Sequence, residues 1–489
     1  MASHVGPKSQ STEGTLSRLG RPGVPEGGRT SGEVEGMDRR SVLLVATLAS
    51  FLTPFMGSAV NIALPSIGDE FAMDAVLLSW VATAYLLAAA MFLVPFGRLS
   101  DLMGRKRIFL WGMVIITVLS LALGLSMSGE MLVVLRFIQG IGAAMVFGTG
   151  LALLTAVYPK EERGKVLGIN VAAVYVGLTV GPAVGGLITQ ELGWRWVFFV
   201  IVPMGIMVIG TVLWRLKGDI AGAEGEPFDL PGTVLYSLAI TLVLLGFSTL
   251  PDTMGIALLV AGLLGTFLFI FWGYYAPSPV LDIKLFLHNR VFAFSNLTAL
   301  IHYSATFAIA FLLSLYLQIV KGMPPTQAGF VILVQPILMA IFSPMTGKLS
   351  DVVEPRQLAS VGMVLTTIGL GMLTFLTKDT DLLMIILALV IIGIGYSLFS
   401  SPNTNAIMSA VEPRFYGVAS GTVGTMRLLG QVFSMGIATL LFAVFLGREQ
   451  ITPELDDEFM MAMNVAFAIF TFLCFLGIFA SLARGKLRD

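Results

Sequence analysis

Apolar residues run in blocks of about twenty along most of the chain, and the short stretches between them hold almost all of the charge. A hydrocarbon layer near 30 Å needs about 20 apolar residues to be crossed as a helix. Blocks of that length predict fourteen spans. The first six cover 41–65, 76–98, 107–127, 131–157, 165–189 and 195–215. Two follow at 231–250 and 254–275, and the last six at 291–319, 327–348, 357–377, 381–407, 416–446 and 460–483. Since helices and closed barrels alone satisfy their backbone inside lipid, this pattern makes the chain an all-α integral membrane protein. Trp80, Trp111, Trp194, Trp196, Trp214 and Trp272 all fall near span ends, where rings with one polar edge anchor at the interface.

Basic residues give the orientation. Leaving out residues 1–37, and Arg136 and Arg427 inside spans, 23 Lys and Arg flank the helices, and 19 lie on the side of Arg39, Arg105, Lys160, Lys217, Lys284, Arg356, Arg414 and Arg484. Only Arg195, Lys321, Lys378 and Arg448 lie on the other. The positive-inside rule puts both termini in the cytoplasm of a multi-pass plasma-membrane protein. Of 489 residues 56% are hydrophobic and 12% charged, and the net charge of −1 gives no reason to expect nucleic-acid binding. Residues 1–37 depart from the rest, being rich in Gly, Pro, Ser and charge, and are expected to be a disordered cytosolic tail, with Met37 a possible natural start. The single Cys474 excludes an internal disulfide.

The chain repeats itself. Gly97-Arg-Leu-Ser-Asp101 returns as Gly347-Lys-Leu-Ser-Asp351, Gly140-Ile-Gly142 as Gly393-Ile-Gly395, and Pro159, Gly164 and Gly177 as Pro413, Gly417 and Gly430. Offsets between 250 and 254 relate spans 1–6 to spans 9–14 and leave spans 7 and 8 as an inserted pair. The expected organisation is a six-helix bundle at 38–216, a linker with two extra helices at 217–290, and a second six-helix bundle at 291–489. Parallel halves that rock about a midplane site are how many secondary transporters work.

Four motifs carry a resemblance. They are Gly97 to Arg107 between spans 2 and 3; Leu132-x3-Arg136-x2-Gln139-Gly140-x-Gly142-Ala-Ala144; Gly177-x3-Gly181-Pro182-x2-Gly185-Gly186; and Asn61-Ile-Ala-Leu-Pro65. Over residues 38–486 the chain resembles the major facilitator superfamily, specifically its 14-span drug:proton antiporter branch. The resemblance implies a gating role for Gly97, Asp101, Gly104, Arg105, Gly347 and Asp351, with Asp101 facing the start of span 13 after Pro413 while the cytoplasmic gate is shut. It labels Gly177, Gly181, Pro182, Gly185 and Gly186 as an antiporter motif. Their spacing alone says that three glycines share one face for close helix packing. The branch's first-helix motif begins with an Asp where this chain has Met56.

That departure matters because no Asp or Glu falls in the middle of a span. A proton-driven pump usually holds a titrating group within the membrane. His302 is the only histidine inside a span, and with Arg136 it is a candidate for proton coupling; a packing histidine is the other reading. Asn61, Tyr85, Gln139, Tyr175, Asn296, Gln335, Asn403, Arg427 and Gln431 are the polar side chains at span positions that are candidates for a substrate cavity.

The expected function is secondary active export of hydrophobic or amphipathic small molecules in exchange for protons. A facilitator or carrier of an anionic metabolite is the alternative, favoured by Arg136 and Arg427 in the absence of a buried carboxylate. Loops are too short for a catalytic domain, and no nucleophile, metal-ligand or phosphate-loop pattern occurs, so an enzyme, a metal and a cofactor are not expected. The expected partners are a small-molecule substrate, protons and the lipid bilayer, and the resemblance implies a monomer.

Overall fold

The computed structural model describes residues 38–220, 228–276, 279, 281, 283–411, 416–447, 449, 451 and 455–485, so the tail expected at 1–37 lies outside the described residues. Among these, fourteen helices are long and apolar enough to span a membrane. They are α1 (Arg39–Phe71), α2 (Ala75–Met103), α3 (Arg105–Gly124), α4 (Gly129–Val157), α5 (Lys160–Glu191) and α6 (Arg195–Arg215) in the first half. The inserted pair is α7 (Leu230–Thr249) and α8 (Thr253–Tyr275). The second half is α9 (Arg290–Val320), α10 (Pro325–Leu349), α11 (Pro355–Leu373), α12 (Leu382–Ser409), α13 (Tyr416–Phe445) and α14 (Asp456–Ala483).

The acids missing from the spans are used at helix starts. Asp74 accepts from the Leu77 amide at 2.7 Å, Asp229 from Gly232 at 2.9 Å and Asp381 from Leu383 at 2.7 Å, each satisfying an orphan donor of a first turn. Helix α1 continues past the expected end at 65 because Ser66 to Phe71 stay helical after Pro65, beyond the apolar run. Helix α9 is not uniform. It breaks after Thr306, where the Ala308 amide donates to Ser434 Oγ of α13 at 3.0 Å, and ends in a π-helical turn, Tyr316–Val320.

The internal repeat is written in the packing. A Cβ on Gly112 of α3 would come within 3.0 Å of the Gly142 carbonyl oxygen on α4, and one on Gly362 of α11 would meet Gly395 on α12 in the same way. Gly140 presses on the Tyr85 carbonyl of α2, as Gly393 does on that of Gln335 of α10; Gly177 presses on Phe51 of α1, as Gly430 does on Leu300 of α9. The chain is therefore two six-helix bundles built to one plan plus two inserted helices. Backbones in lipid approach this closely only where a side chain is absent, because helix association there relies on van der Waals contact.

The halves meet unevenly. Among the described residues four hydrogen bonds join them: Ser314 Oγ to the Asn61 carbonyl at 2.7 Å, Gln318 Nε2 to that of Ile62 at 3.0 Å, Ser79 with Thr439 at 2.9 Å, and the Ala75 amide to Glu449 at 3.0 Å. All four lie toward the face where α1 ends and α2 begins, here called the distal face. The opposite face, where α1 starts and α14 ends, is the terminal face.

Candidate functional site

The loop between α2 and α3 is held from three directions. Asp101 accepts from Arg105 Nε and Nη2 at 3.0 and 2.8 Å, and Arg105 Nη1 reaches the Ala152 carbonyl of α4 at 3.1 Å. Gly104 has φ +108°, and a Cβ there would overlap the Asp219 carboxylate. That carboxylate accepts from the amides of Lys106 and Arg107 at 2.8 and 3.0 Å, so the segment leaving the first half caps α3. Asp219 was not foreseen; its signal was the acidic linker that follows α6. A side chain on Gly97 would meet open space, whereas a Cβ on Gly148 of α4 would lie 3.4 Å from Gly97. In the second copy Gly347 is likewise loosely packed, and Asp351 is exposed, 3.4 Å from Asn405 Nδ2. The expected site opposite Asp101 after Pro413 falls on residues outside the description.

The glycine motif of α5 does two jobs. Gly177, Gly181 and Gly185 abut Phe51, Phe55, Ser58 and Ala59 of α1 within the same half. Gly186 instead meets the carbonyl of Pro325 on α10, and Gly329 of α10 meets that of Pro182. The second pair of contacts crosses between halves, close to the distal face.

Arg136 turns out to be a packed residue, only 1% exposed. Its Nε donates to the Val81 carbonyl at 3.1 Å and Nη1 to Gln139 Oε1 at 2.7 Å, while Gln139 Nε2 donates to Ser120 at 2.9 Å. The guanidinium lies 4.2 Å from the Tyr85 ring centroid. This network ties α2, α3 and α4 together inside the first half, with Gln139 and Tyr85 packed around the guanidinium. Two further cavity candidates are hydrogen-bonded within one half in this conformation. Asn296 donates to the Phe292 carbonyl of its own helix at 2.9 Å. Asn403 donates to Ser295 at 3.1 Å and accepts from Arg484 Nη1 at 2.9 Å, in a buried cluster that Ser481 completes. Polar groups buried among helices find partners before they find solvent. Asn61 and Gln431 are buried near the seam, and Gln335 is half-buried on α10.

Four side chains do converge between the halves. Arg427 of α13 lies with its Cζ 5.8 Å from the Tyr303 ring of α9, the Tyr396 ring of α12 stands 6.0 Å from that of Tyr303, and Tyr175 of α5 lies within electrostatic reach of the guanidinium. Tyr175 belongs to the first half and the other three to the second. Arg427 is twelfth of thirty residues in α13, about 16 Å from its start, which is mid-depth. Gly430, one turn on, lets α13 approach Tyr303 and Ser304 closely. Behind this cluster His302 is fully buried, stacked on Phe399 at 4.0 Å and 5.0 Å from the Tyr396 ring, with neither ring nitrogen hydrogen-bonded among the described residues.

A family model described as the Major Facilitator Superfamily matches residues 46–435 and again 295–487. The chain belongs to the major facilitator superfamily. The second match begins where the second bundle begins, in keeping with the repeat. Among curated relatives, the transporter is 30% identical over 440 residues to the riboflavin transporter RibZ of Clostridioides difficile, covering 89% of this chain and 95% of that protein. It is 31% identical over 428 residues to the multidrug resistance protein Stp of Mycobacterium tuberculosis, with 86% and 79% covered. It is 32% identical over 451 residues to the cephamycin export protein CmcT of Amycolatopsis lactamdurans, with 89% and 91% covered. A crystal structure of a bacterial homolog of the human lysosomal transporter Spinster, inward-facing and unoccupied, superposes with TM-score 0.68 at 17% identity, covering 91% and 97%. That likeness speaks to the fold alone. The protein is thus a multi-pass membrane transporter of small molecules rather than an enzyme, and its fourteen helices fit the 14-span branch.

Proposed function

We propose that this transporter exports amphipathic organic molecules by alternating access, exchanging them for protons. The observation that carries the reading is the distal seam, where four hydrogen bonds among the described residues join the halves, with a polar, aromatic cluster at mid-depth behind it. With the termini cytoplasmic, as the basic residues argue, the distal face is external. The conformation is then closed outward and ready to load from inside. Relatives named for multidrug resistance and for cephamycin export support efflux.

The coupling group is the open part of this reading, and His302 is its candidate. In the conformation described it is sealed behind Tyr303, Tyr396 and Phe399, so it serves only if the outward-open state brings water to it. The test is uptake of ethidium and of carboxyfluorescein into inside-out vesicles, with and without an imposed proton gradient. Gradient-dependent uptake of either dye supports antiport. Equal uptake without a gradient favours a facilitator, and failure of both dyes under both conditions overturns multi-compound export.

A further inference from the structure

We infer that Arg427 is the anion-binding group of the substrate site, and that the transported molecule is a flat, aromatic organic anion such as a carboxylate. The inference rests on the transport reading above and specifies the chemistry of its cargo. Its basis is a comparison of three arginines held inside one fold. Arg136 spends its donors on Val81 and Gln139 and lies over Tyr85. Arg484 spends its own on Ser295, Asn403 and Ser481. Both are closed off, each about 1% exposed, and both have the oxygen partners a buried guanidinium needs.

Arg427 is treated differently. It is only half-buried, at mid-depth between the halves, and among the described residues it makes no hydrogen bond and no ion pair. Acidic residues cannot reach it, since every Asp and Glu in the described span helices lies within four residues of a helix end. A cation at the bilayer centre is costly unless it faces a partner or water. Beside it stand the rings of Tyr303 and Tyr396, 6.0 Å apart, with Tyr175 within electrostatic reach. A guanidinium presents a planar fork of donors that matches a carboxylate or phosphate-type oxyanion. Phenols add donors for the same oxyanion and flat faces for an aromatic body. An organic cation would meet like charge at this point.

The experiment uses the purified full chain in detergent. Thermal shifts are measured for matched sets in which one aromatic core carries a carboxylate, a neutral amide or an ammonium group, with cores of one to three rings. Wild type is expected to prefer the carboxylate members. Arg427→Gln should weaken them at least tenfold and leave the amides unchanged, while Arg427→Lys should retain part of the preference. Unliganded melting and gel-filtration profiles show whether each variant is folded, and Tyr175→Phe, which keeps the charge, provides a second variant expected to weaken the carboxylates more modestly. A wild type that favours ammonium members, shows no charge preference, or binds no carboxylate overturns the assignment. Vesicle transport separates the two proposals. Carboxylates that bind through Arg427 but are never moved defeat the export reading, and the cargo with it, while leaving Arg427 as an anion site, whereas export of ammonium members at equal rates by wild type and Arg427→Gln defeats the present inference alone.

Discussion

Replacing Gly186 by alanine tests whether the distal seam is a gate. The new Cβ would lie 2.5 Å from the Pro325 carbonyl oxygen and 3.0 Å from Thr326 Cα, whereas ordinary contact begins at 3.4 Å. The deficit against the oxygen is 3.4 − 2.5 = 0.9 Å, and it falls on backbone, which has no rotamer to yield. Overpacking of this kind costs about 1–3 kcal/mol. Because the contact exists only while the halves are closed distally, nearly all of that cost falls on one conformation. At 1.4 kcal/mol per decade the closed-to-open ratio should fall roughly 5- to 150-fold. The only native cysteine, Cys474, is buried, so Ser79→Cys in a Cys474→Ser background gives a clean reporter on the seam, beside Thr439. Labelling of that cysteine by a membrane-impermeant maleimide from the distal side should rise several-fold in Gly186→Ala. Gly329→Ala, which overlaps Pro182, should do the same. Gly97→Ala, which meets open space, should not. Unchanged labelling in both seam variants would mean that these contacts do not hold the distal face shut.

Three further outcomes follow from the same geometry. Asp219→Ala removes the acceptor for two amides at the start of α3, so it should cost about 0.5–2 kcal/mol and lower the melting temperature in detergent, with Asp219→Asn recovering part of the loss. Gly185→Ala, whose Cβ would lie 2.7 Å from Ala59 Cα within one half, should lower stability without raising distal labelling. His302→Leu should leave melting unchanged or raise it, because it removes two unpartnered buried nitrogens in favour of an apolar group; transport that keeps its gradient dependence in this variant would remove His302 as the coupling group.

The number, order and pairing of the helices were legible because the membrane enforces length and the repeat enforces packing. Gly140, Gly142, Gly393 and Gly395 recur in the sequence, and the structure gives each pair the same close contacts in the two halves. The site was legible only in Arg427 and Tyr175. Arg427 stood out within an apolar run, but nothing distinguished Tyr303 and Tyr396 from other aromatics. Asn296, Gln139 and Asn403, read as cavity candidates, are hydrogen-bonded within one half in this conformation. The cause is physical. A helix in lipid is apolar on every side, so no hydrophobic stripe tells which face turns inward, and polar side chains that brace helices have the same composition as those that bind. Asp219 escaped notice because a cap reaching back from residue 219 to residue 106 leaves no local pattern.

The inserted pair shows how two halves can rock while a third element touches both. On one side of α7, Tyr236 Oη donates to the Ala90 carbonyl at 2.9 Å and Ser237 Oγ to that of Met91 at 3.2 Å, so the pair is hydrogen-bonded to α2. Against α13 its contact is apolar, with Gly436 lying beneath Leu244 and Phe247. Hydrogen bonds to a backbone fix a register, whereas apolar side chains over a glycine can slide with little penalty. The asymmetry predicts that α7 and α8 travel with the first half while the second half moves past them. A cysteine crosslink between α7 and α2 should therefore leave transport intact, whereas one between α7 and α13 should stop it. Transport stopped equally by both would mean that the pair shifts against α2 as well, and that its hydrogen bonds to Ala90 and Met91 break in every cycle.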